Sequence, residues 1–245
     1  MRVLALETAT PIAGCGVVDA SGVLAEVTLR APMRHLEWLV PAVEEMLRDL
    51  ALRPEDIDAV AVSRGPGGFT GLRIGIMTAV MWARARGVPL LGVGTLEALA
   101  AAADAGRRVL PVLDAHRGEV AGALYAIEAD GAGDVRCLVA PLVASPDVLA
   151  REVMDALASE GPDAPGPILV VGDGLVRHGS TLLAALGDRA RLGGPHLHPR
   201  AAAVGLLALP RLTRGERDDP AGFVPVYGRR PAIRPWQDEA GRTRE

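Results

Sequence analysis

The apolar and polar positions of the chain change period several times, and each change predicts an element. Arg2–Leu6 is a short aliphatic run and Gly14–Val18 is β-prone; Val23–Leu29 follows the turn Asp19-Ala20-Ser21-Gly22, so a three-stranded meander is predicted. From His35 to Leu50 the residues Leu36, Leu39, Val40, Val43, Met46, Leu47 and Leu50 recur at helical spacing, with Glu37, Glu44, Glu45 and Arg48 off that stripe. Pro41 is expected to kink this helix or to mark its early turns. A buried strand over Ile57–Ser63, a helix over Thr70–Gly87, a strand over Val88–Gly92 and a helix over Thr95–Ala103 follow.

This order, β-β-β-α-β-α-β-α, is that of a ribonuclease-H-like lobe. A second cycle starts at Val109–Leu113 and runs through Val120–Ile127, Val135–Leu138, the helix Pro146–Ser159 and the strand Ile168–Val171. Arg200–Leu212 reads as a last helix that packs back on the first lobe. The expected fold class is α/β, two lobes that are each a mixed sheet flanked by helices. The first lobe is expected over 1–104 plus 200–228, a smaller second lobe over 105–199, and a flexible Arg- and Pro-rich tail over 229–245.

Composition narrows the picture. Hydrophobic residues make up 49% of the chain but aromatics only 3%, so the core must be built from Ala, Val and Leu, which suits parallel strands covered by helices. The net charge of −4 argues against a broad phosphate-binding face, so any RNA contact would come mainly through a partner. Cys15 and Cys137 lie far apart without C-x-x-C spacing, which favours neither zinc nor a disulfide and fits a reducing cytosol. The N-terminal apolar run meets Glu7 too early for a signal peptide or a membrane span.

The stretch with most chemical content is Ser63-Arg64-Gly65-Pro66-Gly67-Gly68-Phe69-Thr70-Gly71-Leu72-Arg73-Ile74-Gly75. A strand feeds a glycine-rich turn, and Thr70 is placed to cap the next helix; the turn reads either as an anion site or as a structural corner. It is not a P-loop, since no Gly-Lys-Ser/Thr follows. Gly71 and Gly75, continued by Ala79 and Trp82, make a helix face of low bulk that permits close approach of another helix, from a partner or from the same chain. His35 has Leu39 four residues on, so a helical metal pair is not formed and a hydrogen-bonding role is expected. Asp114, ending a strand, would hold a metal–phosphate group or cap a turn. Gly172 and Gly174 would admit a flat ligand such as adenosine or form a plain turn.

Together, Leu4–Thr10, His35–Leu47, Gly65–Gly75, Thr95–Ala100, Asp114–Val120, Gly172–Gly174 and Pro225–Arg229 resemble the TsaB family, also called YeaZ, of the actin-like ATPase superfamily. The resemblance implies a cytoplasmic, non-catalytic scaffold and activator of TsaD, which transfers a threonylcarbamoyl group to the adenosine beside the anticodon of tRNA. TsaE, an ATPase, is the third member of that assembly, and no membrane is involved. It also implies that His35–Leu50 and Thr70–Gly87 pair with the equivalent helices of TsaD, or with a second copy when TsaD is absent. The expected interface residues are His35, Leu36, Leu39, Val43, Met46, Thr70, Gly71, Gly75, Ala79 and Trp82. No catalytic residue, metal ligand or obligatory cofactor is expected, because the catalytic family's His-x-x-x-His pair is reduced to His35. ATP or ADP with magnesium would bind weakly, at the interlobe cleft or the partner interface, through Thr8, Asp114, Gly172 and Gly174. Glu7 stands where the family usually has Asp, Leu36 and Gly68 where Ser is usual, and His116 falls inside an Asp-Ala-Arg-like motif. The alternatives are a small ATPase or kinase-like protein with an interlobe nucleotide site and, with less support, a glycoprotease.

Overall fold

The computed structural model describes residues 1–30, 34–103, 108–127, 135–159, 166–193 and 198–228. The first lobe runs β1 (Val3–Glu7), β2 (Ile12–Asp19), β3 (Gly22–Arg30), α1 (His35–Asp49), β4 (Ala59–Ser63), α2 (Phe69–Arg86), β5 (Leu90–Val93) and α3 (Thr95–Ala101). The second repeats the same order: β6 (Arg108–Asp114), β7 (Val120–Ile127), β8 (Val135–Ala144), α4 (Pro146–Ser159), β9 (Ile168–Val171), α5 (Leu175–Leu186), β10 (Ala190–Leu192) and α6 (Ala201–Thr213). The sheets are ordered β3-β2-β1-β4-β5 and β10-β9-β6-β7-β8. In each, an antiparallel meander leads into parallel strands, so the two lobes are copies of one plan.

Strand alternation sorts the first lobe's core into two faces. Leu4, Leu6, Cys15, Val17, Val60 and Val62 point to α1 and α2, while Val3, Ala5, Val18, Ala59 and Ala61 point to α6. The second face is lined with alanine because α6 comes close to it: a Cβ at Gly205 would press on Val18 and Ala5. The Glu26 carboxylate of β3 accepts the Ala202 N–H at 2.9 Å and pairs with Arg200, which satisfies the start of α6 from outside the helix. In the second lobe, α4 and α5 cover one face of the sheet through Leu149, Val153, Leu157, Leu182 and Leu186. The other face receives Leu96, Leu99 and Ala100 of α3. Each lobe's last helix therefore packs on the other lobe's sheet, and α3 and α6 also touch each other.

Several expectations need correction. The helix α5 and the strand β10 were not foreseen, because Gly172, Gly174 and Gly179 break the helical pattern around α5 and β10 is only three residues long. The strand expected over Val135–Leu138 continues to Ala144. Pro41, by contrast, falls in the early turns of α1 as expected, and the Glu37 carbonyl that it leaves unbonded belongs to an exposed residue. The tail expected over 229–245 and the lobe boundary at 104/105 lie outside the described residues.

Candidate functional site: an outward helical face and an interlobe cleft

The glycine-rich block is a corner that lets three segments converge. Gly68 donates its N–H to the Ala9 carbonyl at 2.7 Å, and the Thr8 hydroxyl donates to the Gly71 carbonyl at 2.8 Å. A side chain at Gly71 would overlap the Thr8 carbonyl, and one at Gly75 would overlap the Thr8 hydroxyl. The low-bulk stripe thus receives the exit of β1 from the same chain. This corrects the expectation that Gly71 and Gly75 admit a partner helix. Ala79 is buried on the same side, and Leu39, Val43 and Met46 of α1 are core residues. Thr70 does not cap α2 either, since the helix starts at Phe69 with Gly68 at its N-cap. His35 is buried, and its Nε2 lies 2.9 Å from the Thr10 carbonyl, which makes it a hydrogen-bonding residue.

The outer sides of the same helices carry what the inner sides do not need. Leu36 is 72% exposed and Val40 47% on α1, and Met77 56% and Met81 60% on α2. Between α1 and α2 opens a groove of about 430 Å³, walled by Val40, Val43, Leu47, Leu52, Pro54, Thr78 and Trp82 and rimmed by Glu44, Arg48 and Arg53. Of the residues expected at an interface, Leu36 and Thr70 are exposed, Trp82 is half-buried in this groove, and Gly71 is half-buried on Thr8. Val40, Met77 and Met81 were missed. The available signal was the i, i+4 pair of Met77 and Met81, large apolar residues roughly 120° around the helix from Gly71 and Gly75.

A cleft of about 840 Å³ separates the lobes. Thr8, Thr10, His35 and the Pro66–Gly71 corner line one wall, Leu113–His116, Asp173, Val176 and Arg177 the other, with Tyr227 and Gly228 at the edge. The structure brings Thr8 and Asp114 to this cleft. It does not bring Gly172 and Gly174 there as ligand contacts, because both are buried and a Cβ on either would meet Val112 of β6. Their missing side chains serve strand packing, which corrects the adenosine reading.

The acids at the ends of β1 and β6 occupy equivalent places. Ala9 N–H donates to Glu7 Oε1 at 2.6 Å, and His116 N–H donates to Asp114 Oδ1 at 2.8 Å. Their surroundings differ. Glu7 is 1% exposed and outside the cleft lining. Desolvation pushes its carboxyl up to about 7 against the opposing Ser63 hydroxyl and Ala9 N–H. Asp114 is matched by Arg177 Nε at 3.5 Å, His116 Nδ1 at 3.6 Å and His178 Nε2 at 3.9 Å. Asp173 accepts the Asp114 N–H at 3.0 Å and has its pKa raised, first by burial. A magnesium–triphosphate group does not fit this pair, since one acid is buried outside the cleft lining and the other is already paired with the Arg177 guanidinium. Among the described residues, no group of three or more His, Cys, Asp or Glu could hold a metal.

The model of the family described as "TsaD: tRNA N6-adenosine threonylcarbamoyltransferase" matches residues 20–174, more than half of the chain. The chain is 28% identical over 232 residues to the tRNA threonylcarbamoyladenosine biosynthesis protein TsaB of Bacillus subtilis (strain 168), covering 93% of each. It superposes on YeaZ from Pseudomonas aeruginosa with a TM-score of 0.77 at 27% identity, covering 92% of this chain and 99% of that one. The chain belongs to the TsaB (YeaZ) family. It is also 36% identical over 239 residues to the uncharacterized protein Rv3421c of Mycobacterium tuberculosis (strain ATCC 25618 / H37Rv), covering 95% of this chain and 94% of that one. The two-lobed α/β fold is thus the actin-like fold of the YeaZ structures, and the matched span of the TsaD model contains both α1 and α2.

Proposed function

We propose that this chain is the non-catalytic docking subunit of an assembly that forms threonylcarbamoyladenosine in tRNA. It binds and activates a TsaD-type transferase through the outer face of α1 and α2. The observation that carries this reading is the exposure of Leu36 and Val40 on α1 and of Met77 and Met81 on α2, with an apolar groove between the two helices. Side chains of this kind gathered on one face mark a contact surface. The names of the relatives supply the pathway, and the TsaD family model supplies the partner's kind.

The chemistry stays with the partner in this reading. Glu7 is sealed and Asp114 is paired with Arg177, so neither acid is placed to serve a phosphate-bound metal. The net charge of −4 supports tRNA contact mainly through the complex. A TsaE-type ATPase as third member, self-pairing of the free chain and a cytoplasmic setting belong to the same proposal. No helix among the described residues is long and apolar enough to cross a membrane. The size of the cleft favours a second reading, an interlobe nucleotide site, which only Thr8 and Asp114 of the expected residues could serve.

Reconstitution tests the first reading. The TsaD-type subunit of the same organism should co-elute with this chain, and threonylcarbamoyl transfer to tRNA should need both. A TsaD-type subunit that elutes separately and is equally active alone would overturn it.

A further inference from the structure

The chain beyond α6 runs along the exposed side of α2. Asp218 donates its N–H to the Leu90 carbonyl at 2.8 Å, its carboxylate accepts the Gly92 N–H at 2.8 Å, and Arg64 pairs with it at 3.6 Å. Phe223 lies over Gly92, where a side chain would strike its ring, and under the Arg64 guanidinium at 5.0 Å. Val226 donates to the Arg64 carbonyl at 2.6 Å, and Gly65, at φ +118°, leaves room for the Val226 carbonyl. The residues from Asp218 to Gly228 are thus a strap fastened to the first lobe.

Two contacts fix its direction relative to α2. Arg84, in the last turn of the helix, donates to the Pro220 carbonyl at 3.2 Å. At the other end Tyr227 stacks on Phe69 at 5.0 Å, and Arg73 Nε donates to its hydroxyl at 3.1 Å. The strap turns at 220–222 and meets the last turn of α2 at one end and its first residues at the other, so strap and helix run antiparallel. Phe223, Pro225 and Tyr227 are half-buried, whereas the alternating Val224 and Val226 are 61% and 48% exposed. Two β-branched side chains are held out toward solvent by a backbone tied down on either side of them, and the exposed Met77 and Met81 of α2 lie between the helix residues that the strap contacts.

We infer that Val224 and Val226 belong to the docking surface, so that a TsaD-type partner grips α1, α2 and the strap together. The inference rests on the docking reading above. Charge orients the occupant. The outer side of α1 carries exposed Glu44 and Glu45, and the strap side of α2 carries exposed Arg73 and Arg84. A partner that lays an acidic helix along this basic edge is favoured. A TsaD-type subunit is the occupant proposed, because the stretch of this chain that matches its family model contains both helices, so that an equivalent pair is there to set against them.

The test is titration calorimetry of the full chain with the TsaD-type subunit, comparing wild type, the strap pair Val224→Asp with Val226→Asp, and Met77→Asp. Both variants should weaken binding roughly tenfold or more with an unchanged melting temperature. If Met77→Asp weakens binding and the strap pair does not, the inference falls and the two-helix reading stands. If neither changes the affinity, the docking reading itself falls. If the strap pair abolishes only self-association of the free chain, the occupant is a second copy and the inference is overturned. Should the aspartates lower the melting temperature, the milder pair Val224→Thr with Val226→Thr is expected to weaken binding about threefold, and unchanged affinity overturns the inference.

Discussion

Replacing Glu7 with glutamine should reshape the pH dependence of stability in a calculable way. In the folded chain this carboxyl is pushed from 4.5 to about 7 by burial, whereas in the unfolded chain it titrates normally. A proton is therefore bound more tightly by the folded state, and ionisation of Glu7 opposes folding. This penalty is absent below pH 4.5, grows as pH rises toward 7, and is constant above. A shift of this size corresponds to about 3 kcal/mol, an order-of-magnitude figure. Glutamine keeps the shape and an acceptor for the Ala9 N–H but cannot ionise. Urea unfolding of both proteins, repeated at steps from pH 4.5 to pH 8, should give a difference in stability that grows in favour of Glu7→Gln through this window and then levels off. Other titrating groups cancel in the difference. Parallel stability curves across the window would refute the reasoning.

Gly75→Val should destabilise the chain by about 1–3 kcal/mol, because its side chain overlaps the Thr8 hydroxyl inside the lobe; a melting temperature equal to wild type in a thermal circular dichroism scan would count against the inward packing of that stripe. Calorimetry of the isolated chain with ATP and magnesium should show no heat at millimolar nucleotide, since Glu7 is sealed and Asp114 faces Arg177, His116 and His178; a saturable exotherm would favour the nucleotide reading. Asp114→Asn should leave affinity for the TsaD-type subunit within experimental error, since it sits in the cleft and not on the outer face of α1 and α2; a loss of binding would relocate the interface to the cleft.

Much of the first lobe was legible because its elements announce their period. The β1–β3 meander reads as short aliphatic and β-prone runs parted by turn residues, and α1 carries a single wide apolar stripe opposite Glu37, Glu44 and Glu45. The orientation of α2 was not legible. It has small residues at Gly71, Gly75 and Ala79 and larger apolar ones at Ile74, Met77 and Met81, so both sides pass for an interior face. Only the path of β1 decides between them, through Thr8, and that is a long-range fact. Leu39, Val43 and Met46 were misassigned to the interface for a related reason: one stripe on α1 holds core and surface residues, and Leu36 and Val40 lie at its exposed margin. The cleft was half legible. Asp114 could be placed at a strand end, but its pairing with Arg177 depends on α5, which the glycines around it concealed.

The central claim is that the outer face of α1 and α2 becomes covered when the TsaD-type subunit binds. Methionine oxidation reads this directly, because Met77 and Met81 are exposed in the free chain and Met46 is buried. Mild peroxide treatment followed by mass spectrometry of the tryptic peptide Ile74–Arg84 measures both methionines together. The account expects their sulfoxide formation to slow roughly tenfold in the complex while exposed Cys137 of the second lobe stays equally reactive. Met77 and Met81 oxidising at the same rate in the free chain and in a saturated complex would contradict it.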